Sequence, residues 1–244
     1  MPNATEKVLM VLNALCMSQS EPTALSKISD VTGLNKSTVS HILKTLCQHN
    51  YASRVSHTAG YLPGAELYYL TRYGKFESGL IERCRPVMQD LHDRYGCTVG
   101  LSVINNGQKY IIDRISGDFV HNDPDAYIIK DRLLSISGRV ILSRMPTNEV
   151  LELFHKGALS ALSESTAELF EKLSSIKNKE VCFMSEVYGD KVFSSFAFPV
   201  MNKGVCAASV GICFVRPCNN NDIVGEYREE IMMNVLSSSR LVNK

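Results

Sequence analysis

The chain has 244 residues, 45% of them apolar and 21% charged, with a formal net charge of +1. This is an ordinary soluble globular composition, long enough for one large or two modest domains with real cores. The eight cysteines form no C-x-x-C pair and no Cys/His cluster with zinc-ligand spacing. With neither a signal peptide nor a long apolar span, a reduced, cytoplasmic protein is expected, without a metal or a membrane partner.

Charge is unevenly placed. Residues 1–75 hold seven Lys/Arg against four Asp/Glu, and the remainder holds nineteen against twenty-one. A mildly basic front and a mildly acidic back suit one nucleic-acid module joined to another kind of module.

In chain order, Met1–Thr5 is expected to fray and Lys7–Met17 to be helical, with Val8, Val11, Leu12 and Leu15 on one face. Ser26–Gln48 reads as two amphipathic helices broken at Thr32-Gly33-Leu34. In the second helix Val39, Ile42, Leu43 and Leu46 share an apolar face, and Ser37, His41, Lys44 and Gln48 share the opposite polar face. Gly33 suits the left-handed end of the first helix. Short helix, glycine turn and longer helix form the helix-turn-helix plan, whose second helix fits a major groove. An ordinary helical hairpin with a solvated face has the same spacing. The residues after the second helix separate the two readings. Tyr51–Val55 and Tyr61-Leu62, joined by Ser56–Gly60, read as a β-hairpin, which completes a winged helix with Arg54 on the wing.

Ala65–Tyr73 reads as a short helix and Gly74 as a joint. Glu77–Tyr95 is a longer helix bent at Pro86 and closed by Gly96. Thr98–Ile104 and Gln108–Ile115 are strands around Asn105-Asn106-Gly107, a hairpin signal. Ser116–Asp125 is loop-like and Ala126–Ile129 a strand. A short helix spans Ser137–Arg144. Thr147 is expected to cap a helix to Lys156, and Ser165-x-x-Glu168 to form a capping box for a helix to Lys177. Val181–Glu186, Phe193–Val200 and Val205–Phe214 are strands, and Asp222–Leu241 is a closing helix. The fold class is therefore two-domain: an N-terminal winged helix-turn-helix, mostly α, and a C-terminal α+β module built on an antiparallel sheet. The expected boundaries are 1–63 for the first domain, 64–75 for a linker helix and 76–244 for the second.

Several of these residues resemble the isocitrate-lyase-regulator (IclR) type of bacterial transcription regulators. They are Gly33-Leu34, Lys36-Ser37-Thr38-Val39, Leu43, Leu46, Tyr51, Arg54, Tyr61, Arg85-Pro86-Val87, the Gly138 segment and Ala197-Phe-Pro-Val200. Asn35 departs from the family's usual proline, His41 from an arginine and Asn50 from a glycine. The resemblance implies a GAF-like second domain that senses a small organic acid or related metabolite. It further implies a homodimer or dimer of dimers on a pseudo-palindromic double-stranded DNA operator. The DNA contacts expected on this basis are Ser26, Lys36, Ser37, Thr38, Ser40, His41, Lys44 and Arg54. The expected effector contacts are Ser135, Ser137, Gly138, Glu186, Ser195, Ser209 and Gly211, with the helix start near Gly138 offering amides to a carboxylate. Ser195 stands at a usual cysteine position and Gly211 at a frequent serine position.

No nucleophile elbow, phosphate-binding glycine loop, H-E-x-x-H motif or Rossmann fingerprint occurs, so no catalytic residue and no cofactor is assigned. The competing reading is a ligand-binding or enzymatic α+β domain with a winged-helix protein-docking module.

Overall fold

The structure is a computed structural model that describes residues 2–17, 21–56, 59–73, 78–117, 132–218 and 228–243. The expected strand Ala126–Ile129, the joint at Gly74, most of the Ser116–Asp125 loop and the start of the closing helix at Asp222 lie outside the described residues. The chain divides into two compact units, Met1–Phe76 and Glu77–Lys244. No described helix is long and apolar enough to cross a membrane.

In the first unit, helix α1 spans Ala4–Cys16. It starts earlier than expected because Asn3 and Glu6 form a reciprocal capping box, with Glu6 N–H donating to Asn3 Oδ1 at 2.9 Å. Helix α2 spans Leu25–Thr32 and ends at Gly33, whose φ of +67° is the left-handed cap that the sequence calls for. Helix α3 spans Lys36–Gln48. Asn35 caps it by accepting from Thr38 N–H at 2.8 Å. At the other end Asn50 adopts φ +61°, a conformation asparagine tolerates, so the missing glycine is replaced without loss of the turn. Val39, Leu43 and Leu46 of α3 bury against Val11, Leu15, Ile28, Ala52 and Tyr61. Each such aliphatic side chain contributes about 1.5–3 kcal/mol by burial.

Strands β1 (Ala52–Ser56) and β2 (Gly60–Pro63) pair antiparallel to form the wing. Thr23, in the connector before α2, exchanges both backbone hydrogen bonds with Tyr61 and adds a third chain segment to the wing that the sequence did not suggest. Helix α4 comes next, over Ala65–Tyr73.

In the second unit, helix α5 spans Ser78–Tyr95 with Pro86 inside it, and Gly96 closes it with φ +59°. Strands β3 (Thr98–Asn105) and β4 (Gln108–Ile115) turn through Asn106 and Gly107, both at positive φ as a type I′ hairpin requires. A 3₁₀ turn at Arg132–Leu134 leads into helix α6, Ile136–Leu142. Helices α7 (Thr147–His155) and α8 (Thr166–Lys177) come after it. Strands β5 (Cys182–Tyr188), β6 (Lys191–Asn202) and β7 (Val205–Pro217) complete the sheet, and α9 (Arg228–Val242) ends the unit.

Two expected caps differ. α7 is capped by Pro146, whose carbonyl accepts from Glu149 and Val150; Thr147 is already inside the helix. At α8, Ser165 caps as expected, but the Glu168 carboxylate accepts from Ser163 and pairs with Lys172 instead of returning to Ser165. Ser165 N–H donates to Ser163 Oγ in its place.

Among the described residues the sheet runs β4-β3-β7-β6-β5, all antiparallel. One face carries Val99, Leu101, Val103, Phe196, Phe198, Val200, Val210, Ile212 and Phe214 against α5 and α9. Helix α6 packs on the other face, with α7 and α8 outside it in a separate cluster of leucines. The backbone at Gly138 crosses the Leu133 carbonyl so closely that a Cβ there would overlap it, and a Cβ at Gly211 would sit 3.2 Å from Ser137 Cβ.

Both a cap and a close approach can be tested by substitution. Asn35→Ala removes the α3 cap and should cost about 1 kcal/mol, read as a lower denaturation midpoint. Gly138→Ala forces the Leu133 turn to shift and should cost about 2–3 kcal/mol in chemical denaturation of the full chain. A neutral Gly138→Ala would show that the turn yields freely.

Candidate nucleic-acid interface and ligand pocket

Because α3 buries Val39, Leu43 and Leu46, the opposite side of the helix is left to solvent. Lys36, Ser37, Ser40, His41 and Lys44 are all exposed there, and Thr38 is half-buried. Ser37 is partly committed, donating from Oγ to Asn35 Oδ1 at 2.9 Å. Ser26 is exposed on α2. Arg54 is exposed on β1, with its guanidinium 5.7 Å from the centre of the Tyr61 ring, a stacking contact that orients it on the wing. The eight expected DNA contacts thus lie on α2, α3 and the wing of a single compact unit. The outer face of α3 offers hydroxyls, an imidazole and two ammonium groups.

The second unit has an open cavity of about 550 Å³ between the α6 face of the sheet, the start of α6 and the edge strand β4. This volume lies in the range of small-molecule sites. Four of the seven expected effector residues line it: Ser135, Ser137, Ser195 and Gly211. The other three do not. Gly138 is buried under the Leu133 turn and serves the packing of α6. Ser209 is wholly buried, and its hydroxyl donates to the Phe198 carbonyl at 3.0 Å, which accounts for its polarity. Glu186 sits opposite Phe193 on the outer strand β5, outside the lining. Helix α6 is only seven residues long, so its first turn adds little directed field; the polar groups in the cavity are side chains.

The most consequential of these was not apparent in the sequence. Lys109 of β4 reaches across the cavity and donates from Nζ to Ser135 Oγ at 2.7 Å, and Ser135 Oγ lies 3.3 Å from Ser137 Oγ. Arg114, Thr98, Ser102 and Cys213 also line the site, with Phe193 and Ile212 among its apolar walls. Strand alternation around the Asn-Gly turn would have put Lys109 on one face of β4, but not shown which face meets a cavity. Burial pushes the Cys213 thiol above its ordinary pKa; a hydrogen bond with Ser195 and the nearby Lys109 charge pull weakly the other way. The buried Cys84 and Cys97 thiols are pushed up to about 11 and about 12 by desolvation. These are protonated, sluggish thiols near neutral pH.

Comparison with known proteins agrees with this geometry. Residues 4–56 match the IclR helix-turn-helix domain. No match was found among curated proteins. Solved structures with a similar fold include an IcIR transcriptional regulator from Alicyclobacillus acidocaldarius, at 16% identity and a TM-score of 0.70, covering 100% of this chain and 98% of that one. An IclR homolog from Microbacterium hydrocarbonoxydans, complexed with 4-hydroxybenzoate, is similar at 17% identity and a TM-score of 0.63, covering 98% and 99% of the two chains. The Thermotoga maritima IclR is similar at 17% identity and a TM-score of 0.58, covering 99% of each. With the helix-turn-helix domain matched in sequence and the two-unit fold shared end to end, the chain resembles the IclR family of transcription regulators.

Proposed function

We propose that the chain is a DNA-binding transcriptional regulator whose second unit senses a small organic acid. The observation that carries this reading is the presence, in one chain, of two complementary features. One is an exposed polar face on the second helix of an IclR helix-turn-helix domain. The other is a cavity in which Lys109, Ser135 and Ser137 form a hydrogen-bonded group. An ammonium joined to two hydroxyls, among apolar walls, suits a carboxylate. The bound 4-hydroxybenzoate of the Microbacterium homolog is a ligand of that chemical class.

On this reading the protein works as a homodimer or dimer of dimers. Two recognition helices would then meet half-sites of a pseudo-palindrome about 34 Å apart, or a multiple of that distance. Ser26, Lys44 and Arg54 would hold phosphates, and Lys36, Ser37, Thr38, Ser40 and His41 would face the groove. The acid shifts operator affinity only by as much as it distinguishes the two conformations of the dimer.

Duplex binding measured against salt tests the reading. Log affinity should fall linearly with log salt, and Lys44→Ala should lower that slope by about one. An unchanged slope rejects Lys44 as a phosphate contact, and the absence of salt-dependent duplex binding by the wild type rejects the DNA reading. Metabolite turnover without DNA binding would instead favour an enzymatic domain with a docking module. His41 is shorter than arginine and cannot make its two-pronged fit to guanine. Operator selection with wild type and His41→Ala should therefore differ at one position per half-site. Identical selected sequences would show that His41 does not read the groove.

A further inference from the structure

The charge of the pocket is set by one irregularity in its edge strand. From the hairpin turn inward, Lys109 lies opposite Ile104, Tyr110 opposite Val103 and Ile111 opposite Ser102; the register then shifts, so that Asp113 lies opposite Leu101 and Arg114 opposite Gly100. Ile112 is the extra residue of a β-bulge. Residues opposite one another on a ladder project from the same face. Ser102 and Gly100 line the cavity, whereas Leu101 is wholly buried in the core beneath α5.

Unbroken alternation from Lys109 would therefore put Asp113 beside the ligand. The bulge gives that side to Arg114 instead, opposite Gly100. Asp113 still borders the cavity, but its carboxylate is held in an ion pair by Arg85 of α5. The edge strand thus offers two cations to one cavity, and the intervening carboxylate is neutralised from behind.

We infer that the pocket takes an organic dianion, with one carboxylate on Lys109 and the Ser135 hydroxyl and the second on Arg114. This rests on the organic-acid reading above and narrows it. Four regular strand steps separate the backbones of Lys109 and Arg114 by about 13 Å along β4. Were the charged groups to keep that spacing, a charge-assisted hydrogen bond of ~2.8 Å at each end would leave roughly 7 Å between the carboxylates, the span of a straight dicarboxylate of about six carbons. The space between is walled in part by Ile111, Ile136 and Phe193, which suits the methylenes.

Calorimetric titration of the full chain with adipate, hexanoate and 1,6-hexanediol tests this, with sodium chloride matched across ligands. Adipate should bind at least about tenfold tighter than hexanoate, and the diol not measurably, because a second charge-assisted contact is worth that much. Lys109→Met and Arg114→Met should each remove the preference, bringing adipate close to hexanoate. The wild-type ratio of the two acids is informative even if a variant folds poorly. Equal affinity of the two acids in the wild type overturns the dianion and leaves the organic-acid pocket standing. A preference that survives both substitutions overturns the assignment of Lys109 and Arg114. If dicarboxylates and monocarboxylates of four to eight carbons all fail to bind, the dianion and the organic-acid reading fall together.

Discussion

Helix α6 lies close against the sheet, over Gly211, and the site in the second unit depends on that approach. Gly211 leaves Ser137 room to press onto β7, and Gly138 lets the helix cross the Leu133 carbonyl. The same sheet row continues through Gly100 on one side of Gly211 and Ala197 on the other, so the floor beneath the helix is made of small residues. A larger side chain anywhere along it would lift α6. Ser135 would then no longer reach the Lys109 ammonium. Packing density, not a polar motif, brings the hydroxyls to the cavity.

The opposite face of the sheet obeys a different logic. Phe196, Phe198 and Phe214 are buried against α5 and α9, and Phe196 and Phe214 meet edge-on with centroids 6.1 Å apart. This face is filled and the other is hollow, so the alternation of side chains along β3, β6 and β7 separates the packed core from the cavity. Ser209 shows the limit of that division. It lies on the hollow side, two residues from Gly211, yet is closed off completely and serves the backbone of β6.

In the first unit, residues that depart from the related pattern keep the geometry by other chemistry. Asn35 has no fixed φ as proline would, but its side chain satisfies the Thr38 amide. Asn50 enters the left-handed region in place of glycine at modest cost. Both asparagines preserve the position of α3 and leave its outer face free to vary, and it is on that face that His41 stands.

Elements with a strong period were legible in the sequence, because period alone decides which side chains can be buried together. Val39, Leu43 and Leu46 marked the inner face of α3, and the Asn-Gly turn marked the β3–β4 hairpin. Local donors and acceptors were less legible where several could compete: Pro146 displaced Thr147 as a cap, and Ser163 took the carboxylate expected to return to Ser165. The hydroxyls at Ser135, Ser137 and Ser195 were found through resemblance. Lys109 and Arg114 were not, since their common face depends on one unmatched residue in β4, and a bulge leaves no period in the sequence to read. The sequence by itself determined which segments are helices and strands and which helix can enter a groove, because those depend on spacing along the chain. Only the tertiary structure decided which polar groups meet in a cavity and which are spent on the backbone, because that depends on strand register and on how closely α6 approaches the sheet.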